Sequence, residues 1–136
     1  PQNGHLGFLK AIFKSLKPNG KLVLTVPNAN SALAPRWRYI DWTHHISFTE
    51  TSLDFVLYNS GFQQIEIKET EFFSKPSPRL FFTRYILKKD YRKRLKHWLL
   101  FKFFRKVQRL KYIAELGPEQ GASIPLSLNL LAIAAK

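Results

Sequence analysis

The 136-residue sequence contains no cysteine. That excludes a disulfide framework, thiolate metal ligation and a cysteine nucleophile, and it fits a reducing compartment such as the cytoplasm. No apolar run approaches the roughly 18–20 residues of a membrane span. The opening Pro1-Gln2-Asn3-Gly4 has none of the features of a signal peptide. The chain starts without methionine, and no strand precedes its first helical pattern, so a longer protein that has been cut is the expectation. Acids are scarce, 9 against 22 Lys and Arg, for a net charge of +13. The imbalance is local. Lys88 to Lys111 holds eleven basic residues and one acid, Asp90, a net of +10 that leaves +3 for everything else. Only that segment is a candidate for anionic partners.

What is present suffices for one ordinary domain. Apolar content of 45% with 15% aromatic supports a core. From Leu6 to Leu16, the residues Leu6, Leu9, Ile12, Phe13 and Leu16 recur at helical spacing. Lys17-Pro18-Asn19-Gly20 is a turn, because proline cannot continue the helix and Asn-Gly readily supplies positive φ. Leu22 to Val26 is nearly all apolar, which predicts a strand over Lys21–Val26 covered on both faces. Pro27 ends it.

Asn28 to Ser47 is expected to be a long irregular loop. It carries Asn28 and Asn30, then Pro35, then the aromatic and cationic cluster Arg36, Trp37, Arg38, Tyr39 and Trp42. Asp41-Trp42-Thr43-His44-His45 follows. Loops of this length in a compact domain are usually functional. Thr49 is a good N-cap for a helix whose buried stripe is Leu53, Val56 and Leu57, and Gly61 suits its left-handed C-terminal position. Phe62 to Lys68 alternates with period two, as a strand at or near a sheet edge does. Ser74-Lys75-Pro76-Ser77-Pro78 breaks structure. Arg79 to Ile113 then reads as one or two basic helices ended by Gly117-Pro118-Glu119-Gln120-Gly121. Ser127 to Ala134 is a final buried strand.

The order of these features resembles the carboxyl-terminal half of class I S-adenosylmethionine-dependent methyltransferases. The features are Leu-Lys-Pro-Asn-Gly before a strand ending Val26-Pro27-Asn28, Asp41-Trp42-Thr43-His44, Phe48-Thr49 leading to Ser52-Leu53, and Gly61-Phe62. The branch it looks most like has a "PN" strand end, a "D-x-T-H" loop and an "F-T-x-x-S-L" helix start, and is associated with bacterial surface-glycan and lipid-linked sugar pathways. The resemblance covers about Leu6 to Phe72 and, weakly, the last strand.

It implies an α/β fold, an incomplete Rossmann-like methyltransferase sheet. Lys21–Val26, Phe62–Lys68 and Ser127–Ala134 would be its last three strands, the final one antiparallel between the others. Residues 1–136 would be the later part of a methyltransferase domain, with a basic helical insertion at about 79–116. The implied cofactor is S-adenosylmethionine, and the implied acceptor is a sugar or glycan-lipid at the inner face of the plasma membrane. The family's glycine-rich loop and acidic strand end have no counterpart here. Gly4 and Gly7 follow no strand and do not form that loop. The 136 residues alone are therefore expected not to bind the cofactor appreciably.

Methyl transfer to a hydroxyl needs a base and tight positioning. His44, three residues after Asp41, is the candidate base or substrate-positioning residue, with Asp41 orienting its ring and His45 as the alternate. Asp41 capping a turn, with His44 bonded to backbone, is the structural alternative. Trp37, Tyr39 and Trp42 could stack on a sugar ring while Arg36 and Arg38 pair with a phosphate or carboxylate, or the cluster could be a plain hydrophobic lid. Pro27 and Asn28 are the candidates nearest the cofactor, and ordinary turn chemistry is their alternative. No metal site is expected.

In Lys88–Lys111 the helical reading puts a broad apolar face opposite a cationic one. That pattern suits the interface of an anionic membrane. Packing of the apolar face on the core is an equal expectation. Nucleic acid ranks lower, since no recognisable nucleic-acid fold accompanies the charge. A non-catalytic basic module that binds membrane or nucleic acid through this helix is the alternative to an enzyme.

Overall fold

A computed structural model of the chain describes residues 3–40, 46–70, 76 and 85–136, with the backbone alone for Asn3, Trp37 and residues 85–88. It falls into two compact units, Pro1–Thr70 with Pro125–Lys136, and Glu71–Ile124.

In the first unit, α1 (Asn3–Ser15) leads through the turn into β1 (Lys21–Pro27). Asn19 takes the positive φ, 61°, and the Gly20 amide donates to the Lys17 carbonyl at 2.9 Å. A short helix α2 (Ala34–Ile40) follows, then α3 (Glu50–Asn59) and β2 (Gln63–Glu69). The last strand, β3 (Asn129–Ala135), closes the unit. The sheet order is β1-β3-β2, with β3 antiparallel to both neighbours. Hence β1 and β2 run in the same direction, and their carboxyl ends share one rim with the start of β3. The expected placing of the last strand between the other two holds, and so does the edge position of β2.

The core explains the pattern. Leu22, Leu24 and Val26 pair across the sheet with Ala134, Ala132 and Leu130, all on one face. That face meets Leu9, Ile12 and Phe13 of α1, Leu16 just after it, and Leu53 and Leu57 of α3. Leu57 and Leu130 are completely buried. Thr49 caps α3 reciprocally: its hydroxyl accepts from the Ser52 amide at 3.1 Å, and the Ser52 hydroxyl accepts from the Thr49 amide at 2.9 Å. Gly61, φ 103°, turns the chain so that Phe62 meets Phe13 edge-on at 5.2 Å. At the opposite end of the sheet from the rim, the Lys136 ammonium donates to the Leu16 carbonyl at 2.5 Å, complementing the end of α1.

Two expectations fail here. β1 is not covered on both faces: Lys21 and Thr25 are exposed and Val23 is 63% exposed. An unbroken apolar run shows that a strand tolerates cover on each side, but the cover must come from another element. The loop after Asn28 is not irregular throughout. Pro35 sits in the first turn of α2, where its missing amide hydrogen costs nothing. The Ser31 carbonyl and hydroxyl accept from the Ala34 and Leu33 amides at 3.0 and 3.3 Å and so start that helix.

The second unit is built from α4 (Tyr85–Leu116) and α5 (Pro118–Ser123). Gly117-Pro118 ends α4, but the following residues turn back as a helix instead of simply terminating it. Gly121 is buried against the Tyr112–Ile113 backbone, and Arg109 Nη1 donates to the carbonyls of Ala122 and Ile124 at 2.5 and 2.6 Å. The expected division of α4 into one apolar and one cationic face does not hold. Apolar side chains lie on two sides: Tyr91, Leu95, Trp98, Phe101 and Tyr112 are half-buried, while Leu99, Leu100, Phe103, Phe104 and Leu110 are exposed.

Candidate functional site

The rim where β1 and β2 end is the place in an α/β sheet where ligand chemistry sits. It is built around Asn28, which is fully buried. Its Nδ2 donates to the carbonyls of Pro125 and Ser127 at 2.9 and 2.8 Å, and its Oδ1 accepts from the Asn30 amide at 2.9 Å. The side chain therefore fastens the end of β1 to the lead-in of β3. Around it, the Glu69 carboxylate accepts from the Leu126 amide, and the Thr70 and Ser127 hydroxyls both donate to the Asn129 carbonyl.

A second fastening closes the loop that leaves this rim. Asn28 and Phe48 form a parallel bridge. The Ala29 amide donates to the Phe48 carbonyl and the Phe48 amide to the Pro27 carbonyl, each at 2.9 Å. Asn30 Nδ2 donates to Glu50 Oε2 at 2.7 Å, joining the loop's start to the first turn of α3. The two ends of the segment 28–48 are thus pinched together at a neck beside the end of β1. His5 of α1 stands at the same neck, its ring edge-on to Phe48 at 6.4 Å.

Of the residues read from the sequence, Pro27 and Asn28 lie at the rim, and Arg36, Arg38 and Tyr39 lie on the pinched loop. The two arginines are exposed and Tyr39 is 84% exposed. Trp37 belongs to α2, and only its backbone is described. Asp41, Trp42, His44 and His45 lie outside the described residues. Sequence reasoning missed Glu69, whose partner Leu126 is distant in the chain, and Ser127, whose hydroxyl bonds locally to Asn129 while its carbonyl meets the distant Asn28. It also missed the pairing of Asn30 with Glu50, for which a carboxylate opening a capped helix was the only signal. Among the described residues, no group of three His, Asp or Glu side chains could hold a metal ion.

No family model matches the chain, and no curated protein does either. The fold is shared with a solved structure, the crystal structure of a SAM dependent methyltransferase from Archaeoglobus fulgidus. The match has a TM-score of 0.51 at 18% sequence identity and covers 100% of this chain and 53% of that one. The chain spans about half the length of that neighbour.

The described residues alone do not fit an adenosylmethionine. Gly4 and Gly7 lie inside α1 instead of forming a strand-to-helix turn. The Asn28 amide is fully used within the chain.

Proposed function

We propose that this chain is the later part of an S-adenosylmethionine-dependent methyltransferase. It would supply the last three strands of a Rossmann-like sheet, and the whole enzyme would methylate a hydroxyl of a sugar or lipid-linked glycan. The observation that carries this reading is the fold shared with a methyltransferase over the whole of this chain, with β3 reversed between two strands of common direction. The sequence of the loop that leaves the rim supports the reading with chemistry of the right kind. An acceptor hydroxyl gives up its proton as its oxygen is alkylated, and a histidine near neutral pKa is suited to receive it. His44 takes that part, with Asp41 as its orienter and His45 as the alternate. The exposed Arg36 and Arg38 offer cations to a sugar phosphate or carboxylate. Trp37, Tyr39 and Trp42 offer rings to the sugar's apolar face. Pro27 and Asn28 border the cofactor's side of the rim, with the Asn28 side chain holding it in shape.

Two measurements test this. Calorimetric titration of the 136-residue protein with S-adenosylmethionine is expected to show no micromolar binding, because the glycine-rich loop and acidic strand end of such a site have no counterpart in these residues. Micromolar binding would overturn the assignment as a part. In an active longer protein that contains this chain, His44→Ala should lower turnover by about a hundredfold or more while leaving the melting temperature nearly unchanged. Equal losses of turnover and stability would return Asp41 and His44 to turn capping.

A further inference from the structure

The exposed side of α4 is the strongest feature that the methyltransferase reading leaves unused. Leu99, Phe103, Val107 and Leu110 recur every three or four residues and so fall along one stripe of the helix, with Leu100 at its side. They are 37–61% exposed. From Leu99 to Leu110 the stripe runs about 16 Å. Its first half borders an open groove of about 390 Å³ lined by Arg92, Leu95, Lys96, Leu99, Leu100 and Phe103. Isolated exposed leucines are ordinary, whereas a continuous row of bulky ones marks a contact surface.

The charges on the same helix select the partner. Two guanidiniums are engaged within the unit: Arg109 on the α5 carbonyls, and Arg105 over the Phe101 ring at 5.5 Å. The exposed cations on or beside the stripe are Arg92, which lines the groove, and four lysines, Lys93, Lys96, Lys106 and Lys111. Each carries a flexible stem that can lie along apolar material while its ammonium stays at a polar boundary. A second copy of the helix would bring one strongly positive stripe against another, so self-pairing is opposed by charge. Nucleic acid phosphates would satisfy the lysines but leave Phe103 and Leu110 in water. A surface with acyl chains below and anionic headgroups above satisfies both sets at once.

We propose that α4 docks the protein on an anionic lipid surface, with Leu99, Phe103, Val107 and Leu110 entering the headgroup boundary and the flanking lysines on the phosphates. No helix among the described residues is long and apolar enough to cross a membrane, so the attachment is interfacial. It does not depend on the methyltransferase reading.

The test is sedimentation of the 136-residue protein with phosphatidylcholine vesicles, with and without phosphatidylserine. Binding is expected only to the anionic vesicles and should weaken with added salt. Each Lys near such a surface contributes about fivefold in partitioning. The set Lys96→Glu, Lys106→Glu and Lys111→Glu should therefore lower binding at least about tenfold. Phe103→Ser with Leu110→Ser should do the same while leaving helix content by circular dichroism intact, since both side chains are mostly exposed. Four results would overturn the proposal: no binding to anionic vesicles, equal binding to neutral ones, binding unchanged by both variant sets, or salt-sensitive binding to duplex DNA with none to vesicles. A dimer abolished by the serine pair, without vesicle binding, would assign the stripe to a second copy instead.

Discussion

Asn28→Asp should destabilise the sheet unit by about 4 kcal/mol at neutral pH, against about 2 kcal/mol for Asn28→Ala. The two side chains are nearly the same shape, so packing does not separate them. The difference lies in what the Asn28 amide gives: two hydrogens, one to the Pro125 carbonyl and one to the Ser127 carbonyl. Alanine leaves those carbonyls short of a donor in a fully buried place. A carboxylate sets a charged oxygen against them without solvent to relieve it. Protonation would restore one of the two bonds, so burial must raise the introduced carboxyl's folded pKa above its unfolded value of about 4. A raised folded pKa means that stability is regained below the unfolded value and lost as the pH climbs through the folded one. Urea denaturation at pH 7 and pH 4 should therefore show the gap between the two variants narrowing in acid. An aspartate variant as stable as the alanine one at both pH values would mean that the rim admits water.

Gly121→Ala should cost the helical unit about 3 kcal/mol. A Cβ there would stand 2.5 Å from both Cα and N of Ile113 and 2.6 Å from the Tyr112 carbonyl carbon. These are backbone atoms of α4, which cannot swing aside as a side chain could. α5 must lift away, and the carbonyls of Ala122 and Ile124 then leave the Arg109 guanidinium. Gly117 is the natural control. Its φ of 86° and ψ of 167° lie in a region open essentially to glycine, but an added Cβ would meet nothing within 4 Å, so Gly117→Ala should cost about 2 kcal/mol through backbone strain alone. Hydrogen exchange would show the difference. With Gly121→Ala, amides from Gly117 to Gly121 should lose protection while Leu130 and Ala132 keep theirs. Unchanged protection of those amides in Gly121→Ala would refute the close approach of α5 to α4.

How far the sequence could be read depends on the range of the interaction concerned. The α1 stripe, the Thr49 cap, the Gly61 turn and the alternation in β2 are set within a few residues, and each is where its pattern placed it. β1 misled because Val23 reads as core, whereas only its sheet neighbours and whatever lies over it decide its exposure. The seven residues of α2 are too few to show a period, and Pro35 disguised them as loop. The rim was legible as a place, through Pro27 and Asn28, but not as a network. Asn28 to Pro125 and Glu69 to Leu126 are contacts between a side chain and a distant backbone, and no local pattern announces such pairs. In α4 the count of cations was plain, but which ones turn inward was not. Arg109 looked like its basic neighbours until α5 was seen to return against it.

The order of the strands also governs when this fold can form during synthesis. β3, the middle strand, is made last, about a hundred residues after its partner β1. At ribosomal rates of about 5–20 residues per second, β1 waits roughly 5–20 s without β3 beside it. Closing so long a loop comes late and slowly, and the apolar run Leu22–Val26 has to be shielded meanwhile. The nascent chain is thus most exposed to mispairing before Asn129 emerges, and a chaperone's demand should fall sharply once it does.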